Sequence, residues 1–452
     1  MAIIRKRLLF WLIRAYIKKW DKVIAFSFLI GLSIFFTLIY ASQNLSYLFP
    51  HRKEQIGLVG AYTSDNLPPQ IMNKISRGLT KVTADGKVEP DVATSWEIQD
   101  NGKMYVFHLR DDLTFVDGDK VTSETITYEF ADVTTERPDG GTIVFRLENP
   151  YAPFLVTASR PIFKDGLKGI GEYSLADLKL NGTFLSSLSL TSAKDKRRNE
   201  MYTFYPNQEA VKTAFMLGES TKIQGINSME FMNTKLDSHS NITVEKGTNY
   251  SQLVTIFYNT NDSILSDSKV RRGLTYALPN NFVQGERSLL PYSPLSQYYN
   301  DDVADRKQDL EHAKLLLTTA AEAASQSAVP TLTMKTLTRY VPVAKAIVNE
   351  WQKTGVKVTI EEVTSVPSSF QLYLGDFSVP KDPDQYTLWH SNQPFNITNF
   401  RNLRIDKLLE DGRVKTNVNE RKQIYADFQK YLLDDAPASF LYFPYTYTVT
   451  RK

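Results

Sequence analysis

Apolar and polar positions follow three different patterns along this chain. Val23–Ala41 (VIAFSFLIGLSIFFTLIYA) is unbroken, with no charged residue. At ~1.5 Å rise per residue it just spans a hydrocarbon core of ~30 Å, and it exceeds the ~7–15 residues of a signal-peptide core. It reads as an uncleaved transmembrane signal anchor, residues 23–42. Before it, Leu9, Leu12, Ile13, Tyr16, Ile17 and Trp20 recur at helical spacing, with Arg7, Arg14 and Lys18 on the other side. That predicts a basic amphipathic helix over residues 1–22, lying on the inner membrane surface. The basic residues precede the span, so residues 1–22 are expected in the cytoplasm and the body outside. Residues 43–54 form a polar linker.

Beyond residue 55 the patterns shorten. Gln55–Gly60 reads as a first strand. Asp85-Gly86 and Asn101-Gly102 supply the positive φ of hairpin turns between short apolar runs. Tyr105, Phe107 and Leu109 alternate with Val106 and His108, a half-buried strand. Thr122 or Ser123 is read as the N-cap of a helix carrying Ile126, Tyr128 and Phe130. Met201–Tyr205 reads as a strand and Gln208–Leu217 as a helix. Thr255–Thr260 reads as a strand and Val270–Leu278 as a helix. Thr331–Lys335 alternates as a strand. Ala344, Ile347, Val348 and Trp351 then give a helical stripe, Gly355 a helix end, and Val356, Val358 and Ile360 alternate again. This is a βαβ crossover with parallel strands.

Composition narrows the chemistry. The chain of 452 residues contains no cysteine, which excludes disulfides, thiolate metal sites and cysteine nucleophiles. Its five histidines are scattered without metal-ligand spacing, so no metal or cofactor is expected. The net charge of +3 conceals an asymmetry: residues 1–22 hold seven basic side chains and one acid, leaving a mildly acidic body. Nucleic-acid binding is therefore not indicated. No phosphate-binding Gly-x-x-x-x-Gly-Lys motif is present, and Gly166–Gly171 lacks the dinucleotide spacing. No nucleophile–base or carboxylate pair stands out, so an enzyme is not expected.

A set of ordered phrases adds a resemblance. Gly78-Leu79, Pro90–Trp96, Phe107–Arg110, Phe115–Gly118, Val270–Leu278, Asn396–Leu409 and Arg421–Pro437 stand in the order and spacing of family 5 solute-binding proteins of ABC transporters, the oligopeptide, dipeptide and nickel type. The resemblance runs from about Ile56 to Lys452. It implies an α/β, two-lobed fold of the type II periplasmic-binding-protein kind. Residues 55–250 would form lobe 1 with a pared-down inserted subdomain, 251–440 lobe 2, and 441–452 a return towards lobe 1. It also implies capture of a peptide or other small solute between the lobes, and delivery to ABC permease subunits.

In peptide-binding members an aspartate before a shared proline pairs with the ligand's amino terminus. If Pro383 is that proline, the position falls on Val379. The expected ligand contacts are Tyr62 and Ser64 after the first strand, then Asp382, Asp384, Trp389 and Asn396. The missing aspartate, the basic anchor segment and the stop at Lys452 keep a second reading open: a binding-protein fold reused as an interaction or receptor module in a membrane complex. Either way the expected location is the plasma membrane, single-pass, with lipid contacts through residues 1–42.

Overall fold

The computed structural model describes residues 11, 14–16, 18–44, 52–303 and 307–452. Leu9, Leu12, Ile13 and Ile17 of the expected amphipathic face lie outside them, as do residues 45–51 of the linker. A helix runs over Asp21–Asn44 with Phe26, Phe28, Leu29, Phe35 and Phe36 exposed. Its described side chains are continuous only over residues 25–37. Among the described residues no helix is long and apolar enough to cross a membrane.

Lobe 1 opens with β1 (Arg52–Val59) and the hairpin β2 (Thr80–Val82) and β3 (Val88–Pro90), whose turn holds Gly86 at φ 79°. Four strands follow: β4 (Ala93–Gln99), β5 (Met104–Leu109), β6 (Val133–Asp139) and β7 (Thr142–Leu147). They form a separate antiparallel sheet in the order β4-β5-β7-β6. Tyr105, Phe107, Phe145 and Phe154 close its own core, so the inserted subdomain is a small hydrophobic unit. The helix expected after Thr122 does not form. Val121, Ser123, Ile126 and Tyr128 are buried along an irregular, largely extended segment. The apolar residues at 126, 128 and 130 recur every second position, which suits an extended chain rather than a helix.

β8 (Tyr173–Asn181) and β9 (Phe184–Ser192) make a hairpin around Gly182 at φ 64°. They are followed by β10 (Arg198–Tyr205) and β11 (Lys222–Ile226). Between β10 and β11 lies the helix Gln208–Leu217, capped by Asn207 and ended by Gly218 at φ 85°. The short pair β12 (Glu230–Phe231) and β13 (Thr234–Lys235) precedes β14 (Ile242–Thr248) and β15 (Gln252–Tyr258), which carries the chain into lobe 2.

Lobe 2 adds β16 (Gly285–Arg287), β17 (Leu332–Leu337), β18 (Val358–Val363) and β19 (Leu372–Ser378). The helix Val341–Gln352 joins β17 to β18, and these two strands are parallel, as the βαβ reading requires. Val254, Ile256, Leu372 and Leu374 bury one sheet face against helices that include Leu274, Leu317 and Trp351. Phe257, Tyr373 and Phe377 bury the other face with Trp389, Tyr425 and Phe428.

The last strand, β20 (Ala438–Arg451), ties the lobes together. Its first part pairs with β15 up to Tyr442, and its last part pairs with β14 from Tyr445 onward and with β11. Among the described residues the result is one 12-stranded sheet, ordered β18-β17-β19-β15-β20-β11-β1-β10-β9-β8, with β14 and β16 also on β20. The lobes change over at β20's Pro444, whose carbonyl accepts from the Asn249 N–H at 2.9 Å.

Candidate functional site: the cleft between the lobes

Strand direction locates the site. In lobe 1, β1 is parallel to β10 and β11, and β11 ends with Ile226 opposite Tyr447 of β20. The carboxyl ends of these strands therefore point at the junction between lobes. In lobe 2, β17 is parallel to β19, whose terminal Ser378 pairs with Gln252, the first residue of β15. Those carboxyl ends also reach the junction. In open α/β sheets ligands bind just beyond the carboxyl ends of the strands. Here two sets of such ends converge on one cleft.

A cavity of about 230 Å³ lies at this junction, beyond the carboxyl end of β19 and against the β2–β3 turn of lobe 1. Thr83, Ala84 and Gly86 of the β2–β3 turn form one wall. Tyr250 and Ser251 form the junction side, and Tyr292, Ser293, Leu295 and Ser296 with Val379, Pro380, Lys381 and Pro383 form the lobe 2 wall. The walls touch: the Gln297 N–H donates to the Asp85 carbonyl at 2.8 Å, and a Cβ on Gly86 would stand 3.1 Å from the Lys381 carbonyl. Val379 is anchored by its N–H on the Ser251 carbonyl at 2.9 Å.

Four expected ligand residues are engaged inside lobe 2. The buried Asp382 carboxylate takes two hydrogen bonds from the Arg421 guanidinium, at 2.6 and 3.0 Å. Asp384 lies 3.0 Å from Arg413 Nε. Burial raises the Asp384 carboxyl above its ordinary pKa, with the Arg413 charge opposing. Trp389 packs against Phe257, Phe377 and Phe440 and donates its indole N–H to the Gln385 side chain at 2.8 Å. Asn396 donates to the Phe400 and His390 carbonyls and accepts from the Thr398 hydroxyl at 2.7 Å. Tyr62 and Ser64 stand apart from these four, beyond the carboxyl end of β1. The Tyr62 ring is half-buried on Phe204, and the exposed Ser64 hydroxyl bonds Asp65.

Two features of the cleft were not singled out from the sequence. Lys381 is an exposed side chain in its wall. At the ends of β17 and β19, Asp376 accepts from the Tyr340 hydroxyl, Gln252 Nε2 and Arg339, each at 2.6 Å. Burial works to raise the Asp376 carboxyl, but these donors hold it below the usual carboxylate range. Arg339 and Gln252 are distant in sequence from Asp376, so only the sheet register joins them.

A second cavity, of about 980 Å³, separates the subdomain from lobe 2. Its floor holds Arg413, whose guanidinium lies between the rings of Tyr151 and Tyr386, 5.1 and 4.3 Å from their centroids. The Ala152 N–H donates to the Arg413 carbonyl at 2.7 Å, which ties the subdomain to lobe 2.

Among solved structures, a Listeria monocytogenes ABC transporter substrate-binding protein, CtaP, is similar with a TM-score of 0.73 at 20% identity, covering 89% of this chain and 94% of its own. NikZ of Campylobacter jejuni, solved with Ni(L-His), has a TM-score of 0.71 at 20% identity, covering 89% and 95%. Among curated proteins, the dipeptide-binding protein of Escherichia coli K12 is 24% identical over 81% of this chain and 83% of its own length. The model for bacterial extracellular solute-binding proteins, family 5 (middle region), matches residues 87–184 and 198–399. The chain belongs to the family 5 bacterial extracellular solute-binding proteins.

Proposed function

We propose that this protein captures a small, peptide-sized solute in the cleft and presents it to an ABC importer. The convergence of strand carboxyl ends from both lobes on that cleft carries the reading. The lobes are joined through β20 and the β14–β15 passage, a layout that allows hinge closure around a ligand. Relatives named as dipeptide-binding and D,D-dipeptide-binding proteins favour a short peptide or a molecule of similar size. Tyr62 and Ser64 extend the lobe 1 wall, and Asp382 with Asp384 act from behind the lobe 2 wall by holding its loop. We also assign the helix Asp21–Asn44 a tethering role, from its uncharged run and its exposed phenylalanines. The body is then held at the outer face of the membrane.

Native mass spectrometry of residues 52–452, before and after denaturation, tests capture. A defined co-purified solute supports it, and a reproducibly empty cleft opposes it. Resistance of the full chain to carbonate extraction tests the tether. One observation favours the second reading, an interaction module: the cleft is small for a peptide and its walls already touch at Asp85 and Gln297.

A further inference from the structure

The donors and acceptors lining the cleft are unequally used. On the lobe 2 wall the Tyr292 hydroxyl donates to the Pro383 carbonyl at 2.7 Å, and two serine hydroxyls are occupied as acceptors. Ser293 Oγ accepts the Leu295 N–H at 3.1 Å, and Ser296 Oγ accepts the Tyr298 N–H at 3.2 Å. Each serine hydroxyl therefore retains its proton for a ligand. Lys381 is the charged side chain in the described lining, and none of the described contacts pairs its ammonium with an acid.

No carboxylate is among the described lining residues, and those nearby make contacts of their own. Asp382 is held by Arg421 and Asp384 by Arg413. Glu286 accepts from the hydroxyls of Tyr250 and Thr248, at 2.7 and 3.2 Å. Asp85 accepts from the Thr83 hydroxyl within its own turn. The remaining lining, including Val379, Leu295 and Pro380, is apolar. An ammonium group entering this cleft would meet the Lys381 ammonium and, among the described lining residues, no carboxylate. An oxyanion would find an ammonium and two hydroxyl protons.

We propose that the cleft takes solutes that lead with an oxyanion, a carboxylate or a phosphate, and that Lys381 is its charge partner. This deepens the assignment of solute capture and rests on it. A charge-assisted contact of this kind contributes enough that its loss weakens binding about tenfold or more.

The test is calorimetric titration of the full chain in detergent with four probes: Ala-Ala, N-acetyl-Ala-Ala, Ala-Ala amide and glycerol 3-phosphate. Alongside it, the solute released from the purified protein is identified. The expected result is binding of probes that keep an oxyanion, equal affinity for Ala-Ala and its N-acetyl form, and a loss of about tenfold or more for the amide. Strength of N-acetyl-Ala-Ala against glycerol 3-phosphate separates carboxylate from phosphate. Lys381→Glu should abolish the preference, and Lys381→Met should weaken it, both with unchanged thermal stability because the side chain is exposed. Val379→Asp should shift the preference to the amide. Tighter binding of the amide than of N-acetyl-Ala-Ala, or a Lys381→Glu protein that binds like the parent, overturns the oxyanion assignment while leaving capture intact. An empty protein that binds none of the probes overturns capture itself, and the assignment with it.

Discussion

Asp382 is separated from solvent and from the cleft by the pair it makes with Arg421. The guanidinium also donates to the Gly412 carbonyl at 2.9 Å and lies over the rings of Tyr298 and Tyr425. Removing one partner of a buried pair leaves the other charge uncompensated, at a cost of ~3–5 kcal/mol. Arg421→Ala should therefore lower the unfolding free energy by that amount in denaturant titration. An effect below about 1 kcal/mol would mean that the pair is solvated. Asp376 yields a pH prediction. Its folded pKa lies below the ordinary 3.8, so the stability it contributes is present above that value and is lost as pH falls through the folded one. Asp376→Asn should flatten the acid limb of a stability–pH curve below about pH 4. A curve unchanged in slope would place the acid sensitivity elsewhere.

Elements built from neighbouring residues are legible in the sequence, and contacts between distant residues are not. The turns at Gly86 and Gly102, the Asn207-capped helix and the parallel β17–β18 pair follow local rules of φ, capping and periodicity. The segment after Thr122 was misread because three apolar residues at spacing two were assigned to a helix by the cap-like threonine before them. The β8–β9 hairpin is faint in the sequence because its serines and asparagines weaken the alternation. Asp382 and Asp384 are read as ligand contacts from the resemblance of the loop around Pro383, and Trp389 and Asn396 from their places after it. Their partners Arg421, Arg413, Gln385 and Phe400 become visible only once helices are docked. The seam between subdomain and lobe 2 is another feature of docking. Arg413→Ala removes the side chain held between Tyr151 and Tyr386, and it should shift the molecule towards a more open form. Small-angle scattering without ligand should show a larger radius of gyration. An unchanged value would mean that the Ala152 backbone bond alone holds the seam.

At the scale of the whole molecule, the lobes are joined by two strand passages that are side by side, β14–β15 and β20 near Pro444. Ligand can bias such a hinge only through contacts it makes better in the closed form. A bound solute should therefore contract the scattering profile of the native protein, and the Arg413→Ala protein should contract more because it starts wider. β20 also has a consequence for biogenesis. It lies between β15 and β11, so it is an inner strand of both lobes, yet it is made nearly four hundred residues after β1. Lobe 2 cannot complete its hydrogen-bonded ladder until residue 444 is available, nor lobe 1 until residue 451, and pairings this distant in sequence are slow to form. Folding of either lobe to completion thus waits for the last strand. A version ending at Pro437 should lose cooperative unfolding in both lobes together. Such a protein retaining a native lobe 1 transition would show that the two halves ripen independently.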